Sequence, residues 1–309
     1  MKVALFGGTG FVGSYLIREL INNDHIPRVL VRDGSEDKLT NIDSCEVVMG
    51  DVTDQSTVMG TINGCEAVIY NIGIIRQFPK RWITFEKLHF ESAKKVIRAT
   101  EESGLKRFIM MSANGVKPNG TGYQKTKWLA EQLLKSTDLK WTIFRPSLIF
   151  GDPGSRNCQE FCTQLKENML GLPFPAPIFY KGLNPFNAGD FAMSPIHAKD
   201  VAKFFVQSIS MENTHRKIYE LGGAETVKWS SLLNRITSSI GKNKWGIPVP
   251  IIFVKMAAFF LERFSSFPVT RGQLIMLMEG NTVEKQYFSD FVISPTRFDN
   301  KTLSYLKTD

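Results

Sequence analysis

Seven residues near the amino terminus constrain the fold of this chain more than any other part of its sequence. An apolar run at residues 3–6 leads directly into them, and an amphipathic segment follows. The turn consists of Gly7, Gly8, Thr9, Gly10, Phe11, Val12 and Gly13. Gly7 permits a tight turn, Gly10 removes a side chain that would block a phosphate, and Gly13 lets a helix pack closely. The sequence therefore predicts a strand, turn and helix whose free N–H groups bind the diphosphate of a nicotinamide dinucleotide.

Short apolar runs alternate with amphipathic segments through the first half of the chain. This pattern is typical of a parallel sheet with helices on both faces. We predict strands at residues 3–6, 28–31, 46–49, 67–70, 107–111 and 141–144. Apolar residues recur at helical spacing in 11–21, 85–102 and 123–134. The expected fold is α/β, a Rossmann-type doubly wound parallel sheet with a smaller C-terminal lobe.

The composition changes after residue 150. Gly, Pro, Phe and Asn crowd residues 151–195, which predicts a long irregular excursion, either a lid or an ordered surface loop against a partner. Helices are expected at 196–210 and 229–240. We assign residues 1–150 to a dinucleotide-binding domain and 151–309 mainly to a substrate or partner lobe. Residues from about 195 to 222 are expected to return to the first domain.

One apolar segment, residues 247–264, contains Pro248, Pro250 and Lys255 and ends in Glu262-Arg263-Phe264. It is too short and too interrupted for a membrane-spanning helix. Two interpretations remain, a helix packed in the protein and a helix that lies at a membrane interface or against a partner. The second would give peripheral contact with a membrane.

The net charge of the chain limits the classes of ligand and partner that we expect it to bind. Lys and Arg number 38 against 30 Asp and Glu, a formal net charge of +8, which favours phosphorylated ligands, anionic lipid or nucleic acid. The charges are dispersed and no basic aromatic motif is present, so we expect no nucleic-acid partner. The amino terminus reaches its glycines before an export signal can form, so we expect a cytoplasmic protein.

The number and spacing of the cysteines indicate whether the chain forms disulfides or binds a metal ion. The chain has four cysteines, Cys45, Cys65, Cys158 and Cys162. They fit neither a disulfide framework nor a zinc site, because the one close pair lacks a second pair or flanking histidines. We expect reduced thiols and no metal.

Cofactor choice is commonly decided at the end of the second strand, where Arg32 is followed by Asp33. A guanidinium suits a ribose 2′-phosphate and a carboxylate suits a free 2′-hydroxyl. Arg32 favours NADP(H), whereas Asp33 leaves NAD(H) open.

Two further turns follow predicted strands at the edge where a ligand would bind. The first contains Asp51 and Val52, and the second contains Asn71 and Gly73. The Asp51 carboxylate is suited to accept hydrogen bonds from an adenine amine, and Gly73 allows close approach to a ribose or phosphate. Plain turn chemistry is the alternative interpretation of both.

Three residues form a candidate catalytic group. Hydride transfer to a carbonyl leaves an oxyanion that needs a proton, and a tyrosine donates it best when a cation lowers its pKa. Tyr123 and Lys127 lie four residues apart and therefore share one helix face. Ser112 follows a predicted strand and is placed to orient the carbonyl, although it could equally be a turn or cap residue.

With these residues the chain resembles the short-chain dehydrogenase/reductase superfamily, in its extended and atypical branch. The runs at residues 70–76, 85–89, 141–147 and 195–201 are similar to bacterial relatives of the NAD(P)H-binding accessory subunit of respiratory complex I. The resemblance covers most of the chain. It implies a bound NADP(H), with the C-terminal lobe forming the substrate or partner surface.

The resemblance also implies roles for single residues. Tyr123 would be the acid/base, Lys127 would hold the nicotinamide ribose and lower the tyrosine pKa, and Ser112 would orient the carbonyl. Pro146 and Ser147 would line the nicotinamide end of the site. His197, a lone histidine, is interpreted as structural.

Three functions remain open. The first is an NADP(H)-dependent oxidoreductase that acts on a small-molecule carbonyl or alcohol. The second is a non-catalytic cofactor-binding scaffold or assembly subunit with a quinone- or membrane-associated partner, at the inner face of a membrane. The third is an epimerase or dehydratase of a nucleotide sugar, disfavoured because those enzymes usually have a longer spacing before the tyrosine.

Overall fold

The computed structural model describes residues 1–154, 158, 160–171, 173–182, 184–262 and 269–307. The chain divides into two compact units. The first unit comprises Met1–Pro146, Ala198–Leu221 and Tyr287–Ser294. The second comprises Ser147–His197, Gly222–Gln286 and Pro295–Asp309.

The regular elements are numbered along the chain. The strands are β1 (Lys2–Phe6), β2 (Ile26–Val31), β3 (Glu46–Met49), β4 (Ala67–Tyr70), β5 (Arg107–Met111), β6 (Lys140–Pro146), β7 (Ile149–Phe150), β8 (Ala176–Tyr180), β9 (Ala192–Met193), β10 (Ile196–His197), β11 (Lys217–Leu221), β12 (Val227–Lys228) and β13 (Gly246–Pro250). The α-helices are α1 (Phe11–Asn22), α2 (Gln55–Ile62), α3 (Ser92–Glu102), α4 (Gly122–Lys135), α5 (Phe161–Leu165), α6 (Ala198–Ser208), α7 (Trp229–Ser239), α8 (Ile251–Leu261) and α9 (Arg271–Glu279).

The first unit is built on a seven-stranded parallel sheet. The strand order is β3-β2-β1-β4-β5-β6-β11, so the order reverses between β1 and β4. Helix α1 packs against α6, and α3 packs between α2 and α4. The central strands are buried because helices cover them. This architecture confirms the predicted α/β doubly wound fold, and ligands of such folds bind where the strand order reverses.

The predicted bounds are confirmed for three strands of the sheet. Strands β3, β4 and β5 begin and end where the apolar runs predicted. The helix predicted at 85–102 consists of a π-helical turn, Glu86–Glu91, followed by α3. The helix predicted to begin at residue 196 is wrong at its start, because Ile196 and His197 pair in parallel with β7 as strand β10.

In its described residues, the second unit contains three two-stranded sheets and a core that surrounds Trp229. The prediction of an irregular excursion over residues 151–195 is wrong for much of the described part. Helix α5 forms because the Glu160 carboxylate accepts hydrogen bonds from the N–H groups of Cys162 and Thr163. Strand β8 forms because it pairs with β13, which lies far along the sequence. Residues 155–157, 159, 172 and 183 lie outside the described residues.

The apolar segment predicted at 247–264 divides into β13 and α8. Arg263 and Phe264 lie outside the described residues. One face of α8 packs in the core through Ile251 and Ala258. The other face carries five large apolar side chains that are each more than half exposed, namely Ile252, Phe253, Met256, Phe259 and Phe260. In the part of the chain that the structure describes, no helix is long and apolar enough to cross a membrane.

Candidate functional site

The turn between β1 and α1 can be built only with glycine at two positions. Gly7 has φ +95°, and a Cβ there would lie 2.9 Å from the carbonyl carbon of Asn71. A Cβ on Gly13 would lie 2.2 Å from the carbonyl oxygen of Gly7. The first glycine therefore lets the turn lie against the end of β4, and the second lets α1 pack on the turn.

Gly10 has a different role from these two glycines. A Cβ on Gly10 would meet only the Gly7 carbonyl oxygen, at 3.5 Å, so it would project into open space above the turn. No side chain caps the start of α1, and the first-turn N–H groups of Phe11, Val12 and Gly13 have no acceptor within the helix. An open cradle with free N–H donors fits a diphosphate group. Thr9 lies half-buried at the top of the same turn.

The loop after β4 is tied to this turn. The Asn71 side-chain amide donates a hydrogen bond to the Gly7 carbonyl oxygen at 3.2 Å, and its backbone N–H donates to Phe6 at 2.9 Å. Asn71 therefore fixes the turn with its side chain. A Cβ on Gly73 would lie 3.3 Å from Lys127 Nζ, so this loop also lies beside the proposed catalytic lysine.

The residues after β2 and β3 lie at the same edge of the sheet. Arg32 and Asp33 are both exposed at the end of β2. The Asp51 carboxylate accepts hydrogen bonds from the backbone N–H and the hydroxyl of Thr53, at 2.8 and 2.6 Å. Burial opposes ionisation of Asp51, but these hydrogen bonds and the positive charge of Arg32 lower its pKa. Asp51 is therefore an ionised acceptor at neutral pH, whereas Val52 is buried in the core.

Lys127 joins the ends of two neighbouring strands. Its ammonium donates hydrogen bonds to the carbonyl oxygens of Ile72 and Met111, at 3.2 and 3.0 Å. Met111 is the last residue of β5, and Ile72 lies in the loop that directly follows β4. Burial lowers the pKa of Lys127 to about 8, although the negative charge of Glu131 opposes the shift. A cation held this close to deprotonation is typical of functional sites.

Tyr123 lies one helical turn before Lys127, as the spacing predicts. Its ring contacts the rings of His89 and Phe85 edge-on, with centroids 5.0 and 5.7 Å apart. Burial raises the pKa of Tyr123 to about 12. The expected lowering of this pKa by Lys127 is thus not seen in this geometry, because the ammonium is directed at backbone carbonyls and burial dominates.

Ser112 follows β5 at the expected edge, but its hydroxyl has a buried partner. The hydroxyl donates to Glu131 Oε1 at 2.5 Å, and Arg145 donates to both oxygens of the same carboxylate, at 2.9 and 2.6 Å. Glu131 is fully buried. It shares a helix face with Tyr123 and Lys127, and nothing in the sequence analysis assigned it a role. Its position four residues after Lys127 is the signal that would have found it.

The remaining candidates lie around the end of β6. The Pro146 carbonyl accepts a hydrogen bond from Asn114 N–H at 2.9 Å, which holds the loop after β5. Ser147 belongs to the second unit, where its hydroxyl donates to the Asn281 carbonyl at 2.7 Å. His197 packs edge-on against Phe150 in that unit, with ring centroids 5.0 Å apart. The roles assigned to Pro146 and Ser147 remain predictions.

His89 is a buried residue that sequence reasoning did not single out as functional. Its Nε2 lies 3.1 Å from the backbone N–H of Ile74, and its Nδ1 lies 3.1 Å from the Thr126 hydroxyl. It therefore connects the loop after β4 to helix α4. Among the described residues, no group of three or more His, Cys, Asp or Glu side chains is placed to hold a metal ion.

Comparison with known protein families matches the half of the chain that carries most of the candidate site. A family model described as NAD(P)H-binding matches residues 7–166. The 40 kDa subunit of mitochondrial NADH-ubiquinone oxidoreductase from Neurospora crassa is 25% identical over 312 residues, covering 98% of this chain and 78% of that protein. A photosystem II assembly factor of Trieres chinensis is 20% identical, covering 84% and 75%. These relatives confirm the resemblance to complex I accessory subunits.

Solved structures share the fold over the whole chain. The UDP-glucuronic acid 4-epimerase from Bacillus cereus, in complex with UDP-glucuronic acid and NAD, superposes with a TM-score of 0.73. The match covers 99% of this chain and 98% of that one, at 16% sequence identity. At this identity the similarity establishes the fold, and the chemistry has to be argued from the residues.

Proposed function

Since the chain belongs to the NAD(P)H-binding family, we propose that it is an NADP(H)-dependent oxidoreductase of the atypical short-chain dehydrogenase/reductase type. The reaction is hydride transfer between the cofactor and a carbonyl or alcohol, with Tyr123 as the acid/base. One observation carries the proposal: the Lys127 ammonium joins the carboxyl ends of β4 and β5, beside Gly73 and one helical turn after Tyr123.

The first unit supplies most of the groups that the cofactor needs. The turn from Gly7 to Gly13 would hold the diphosphate through its N–H groups. Asp51 would accept from the adenine amine, and Arg32 would bind a ribose 2′-phosphate. Gly73 and Lys127 would face the nicotinamide ribose, with Pro146 and Ser147 at the nicotinamide end.

Tyr123 is suited to the reductive direction. Because its pKa is about 12, its hydroxyl keeps its proton at neutral pH. A nicotinamide held at this site would supply the hydride. As the substrate carbon gains that hydride, the carbonyl oxygen takes the proton of Tyr123 Oη, which leaves an alcohol and a phenolate. Solvent then returns a proton to the phenolate, while the Lys127 ammonium holds the loop after β4 against the end of β5.

The proposal is tested with purified protein and a panel of carbonyl substrates, following NADPH absorbance. Tyr123→Phe is expected to lower the turnover rate by at least about a hundredfold and to leave the Kd for NADPH within about twofold. Tyr219→Phe, which alters a buried tyrosine of β11, is the matched control and should retain activity. Undiminished turnover in Tyr123→Phe rejects the assignment of the proton donor.

The preference for NADP(H) is a separate part of the proposal. Arg32→Ala should weaken NADPH binding by about tenfold and leave NADH binding unchanged, because only NADPH carries the 2′-phosphate. Asp33→Ala should weaken the binding of NADH and leave the binding of NADPH unchanged. If Arg32→Ala weakens the binding of both nucleotides equally, Arg32 does not bind the 2′-phosphate.

A second candidate function is a non-catalytic subunit or assembly factor that binds cofactor at a membrane surface. The observation that favours it is the exposed apolar face of α8, and the relatives named as a complex I subunit and an assembly factor support it. On this hypothesis the face of α8 makes peripheral contact with the membrane or with a membrane-bound partner.

Two measurements separate the candidates. The subunit hypothesis predicts that the protein retains NADP(H) through purification, turns over none of the carbonyl panel and fractionates with membranes. The oxidoreductase predicts turnover that depends on Tyr123. A protein that stays wholly in the soluble fraction without a partner, and does turn over, eliminates the second candidate.

A further inference from the structure

His89 lies at the junction of the elements that form the candidate site. It is 1% exposed and lies on the π-helical turn Glu86–Glu91, between the loop after β4 and helix α4. Its ring stacks on that of Phe85, with centroids 5.2 Å apart and planes at 21°. The ring of Tyr123 stands edge-on to both rings. The rings of His89 and Phe85 therefore hold the ring of Tyr123 in place.

The hydrogen bonds of His89 determine its protonation. A backbone N–H can only donate, so the contact with Ile74 requires Nε2 to be an acceptor. In a neutral imidazole the proton then lies on Nδ1, which donates to the Thr126 hydroxyl. That hydroxyl donates in turn to the Gly122 carbonyl at 2.8 Å. A continuous series of hydrogen bonds thus runs from the loop after Gly73 to the first turn of α4.

The surroundings of His89 favour the same neutral form. Burial lowers the pKa of His89 well below its ordinary value, and the positive charge of Lys127 lowers it further. A Cβ on Gly73 would lie 3.3 Å from Lys127 Nζ and 3.9 Å from His89 Nε2, so the lysine and the histidine border the same backbone. A protonated His89 would lose its bond to Ile74 and would place a second cation beside Lys127.

We propose that His89 is a positioning residue of the cofactor site, a neutral imidazole protonated on Nδ1 that holds the backbone at Gly73 and Ile74 and the ring of Tyr123. The proposal rests on the function proposed above, because it assumes that this loop contacts the cofactor. His89 would act through the loop at Gly73 and through Tyr123.

The first test is spectroscopic and needs neither cofactor nor substrate. The protein has four histidines, and the spectrum of His89→Phe assigns the signal that is lost. In ¹⁵N-labelled wild-type protein we expect His89 to show a protonated Nδ1 and an unprotonated Nε2, unchanged from pH 8 to pH 5.5. Protonation of Nε2, or titration near the ordinary histidine pKa of about 6.5, overturns the proposal.

The second test measures cofactor affinity by nicotinamide fluorescence. His89→Phe keeps a ring against Phe85 and Tyr123 but leaves the Ile74 N–H without an acceptor, so the Kd for NADPH should rise about tenfold. His89→Gln restores an acceptor and should recover part of the affinity. His215→Asn, which removes a half-buried histidine of the same unit, should have no effect.

The outcomes of the second test are distinguishable. If wild-type protein binds NADPH and His89→Phe binds it equally well, the positioning role is wrong and the proposed function stands. If wild-type protein binds neither NADPH nor NADH, the proposed function fails. A positioning role toward a cofactor site fails with it, even if the spectroscopic test finds the expected tautomer.

Discussion

Helices α4 and α8 depart from the usual amphipathic pattern in opposite directions. The buried face of α4 carries polar side chains, among them Lys127 and Glu131, and each has hydrogen-bond partners. The outer face of α8 carries five large apolar side chains that are each more than half exposed. A buried charge and an exposed apolar patch are both unfavourable for a folded protein in water. On the functions proposed above, the buried polar face of α4 would serve chemistry within the first unit, and the exposed face of α8 would serve contact outside the chain.

The largest expected effect comes from a substitution on the buried polar face of α4. Glu131→Gln removes the charge that Arg145 and Ser112 bind, and it should lower the free energy of unfolding by about 3 kcal/mol. That is the low end for a broken buried ion pair, because Arg145 keeps some solvent contact and its bond to Glu220. Urea denaturation measures the change. Glu220→Gln, at the more exposed end, should cost less than about 1 kcal/mol.

The next effect separates catalysis from stability. Lys127→Met removes the ammonium that binds the carbonyls of Ile72 and Met111 and that we propose faces the nicotinamide ribose, so turnover should fall by at least about a hundredfold while the protein still folds. Lys127→Arg is the control, because it retains a positive charge and should recover part of the rate. Full turnover in Lys127→Met would contradict a role for the ammonium.

The same variant gives a pH prediction of defined sign. The pKa of Lys127 is about 8 in the folded protein and near 10.5 when the chain is unfolded. Between these values the unfolded chain binds more protons, so stability rises with pH there. We expect wild-type protein to gain stability relative to Lys127→Met from about pH 8 to pH 10, and to show a constant difference below pH 7. Denaturation midpoints of both proteins at each pH measure this.

A fourth prediction concerns the exposed apolar face of α8. The double variant Phe253→Ser and Phe260→Ser should fold normally, because both rings are exposed, and should bind anionic vesicles at least about tenfold more weakly. Vesicle co-sedimentation measures the binding. Val292→Ser alters an exposed residue of the first unit and should leave binding unchanged. Equal vesicle binding by all three proteins would exclude α8 as the contact surface.

The smallest expected effect concerns the residues that cap the starts of α4 and α8. Helix α4 begins with a capping box between Thr121 and Gln124, whereas α8 begins after Pro250 without a side-chain cap. Thr121→Ala should lower the free energy of unfolding by about 1 kcal/mol. Thr121→Ser retains the hydroxyl and should stay within about 0.5 kcal/mol of wild type. Thermal denaturation is sufficient to resolve the two.

The sequence predicted the sheet better than it predicted the site. Strands such as β4 are buried on both faces, so a local apolar run carries the whole signal. The start of α6 was missed because β10 pairs with β7, and that pairing depends on residues far apart in sequence. Local periodicity does not report such pairing.

For the site, spacing placed Tyr123 and Lys127 on one helix face but did not show where each side chain is directed. The Lys127 ammonium binds one carbonyl in the loop after β4 and another at the end of β5. The Ser112 hydroxyl binds Glu131, and His89 binds Ile74 and Thr126. Each of these contacts depends on the tertiary fold, which a short sequence motif does not contain.

The strand order of the first unit has a consequence for synthesis on the ribosome. Strand β6 ends at Pro146, yet its outer neighbour β11 begins only at Lys217. At the usual rate of elongation the nascent chain waits roughly 4 to 14 s for that strand. Throughout this interval one side of β6 has N–H and C=O groups without a strand partner, which is a hazard for aggregation. A chaperone that shields this edge during translation would raise the yield of folded protein.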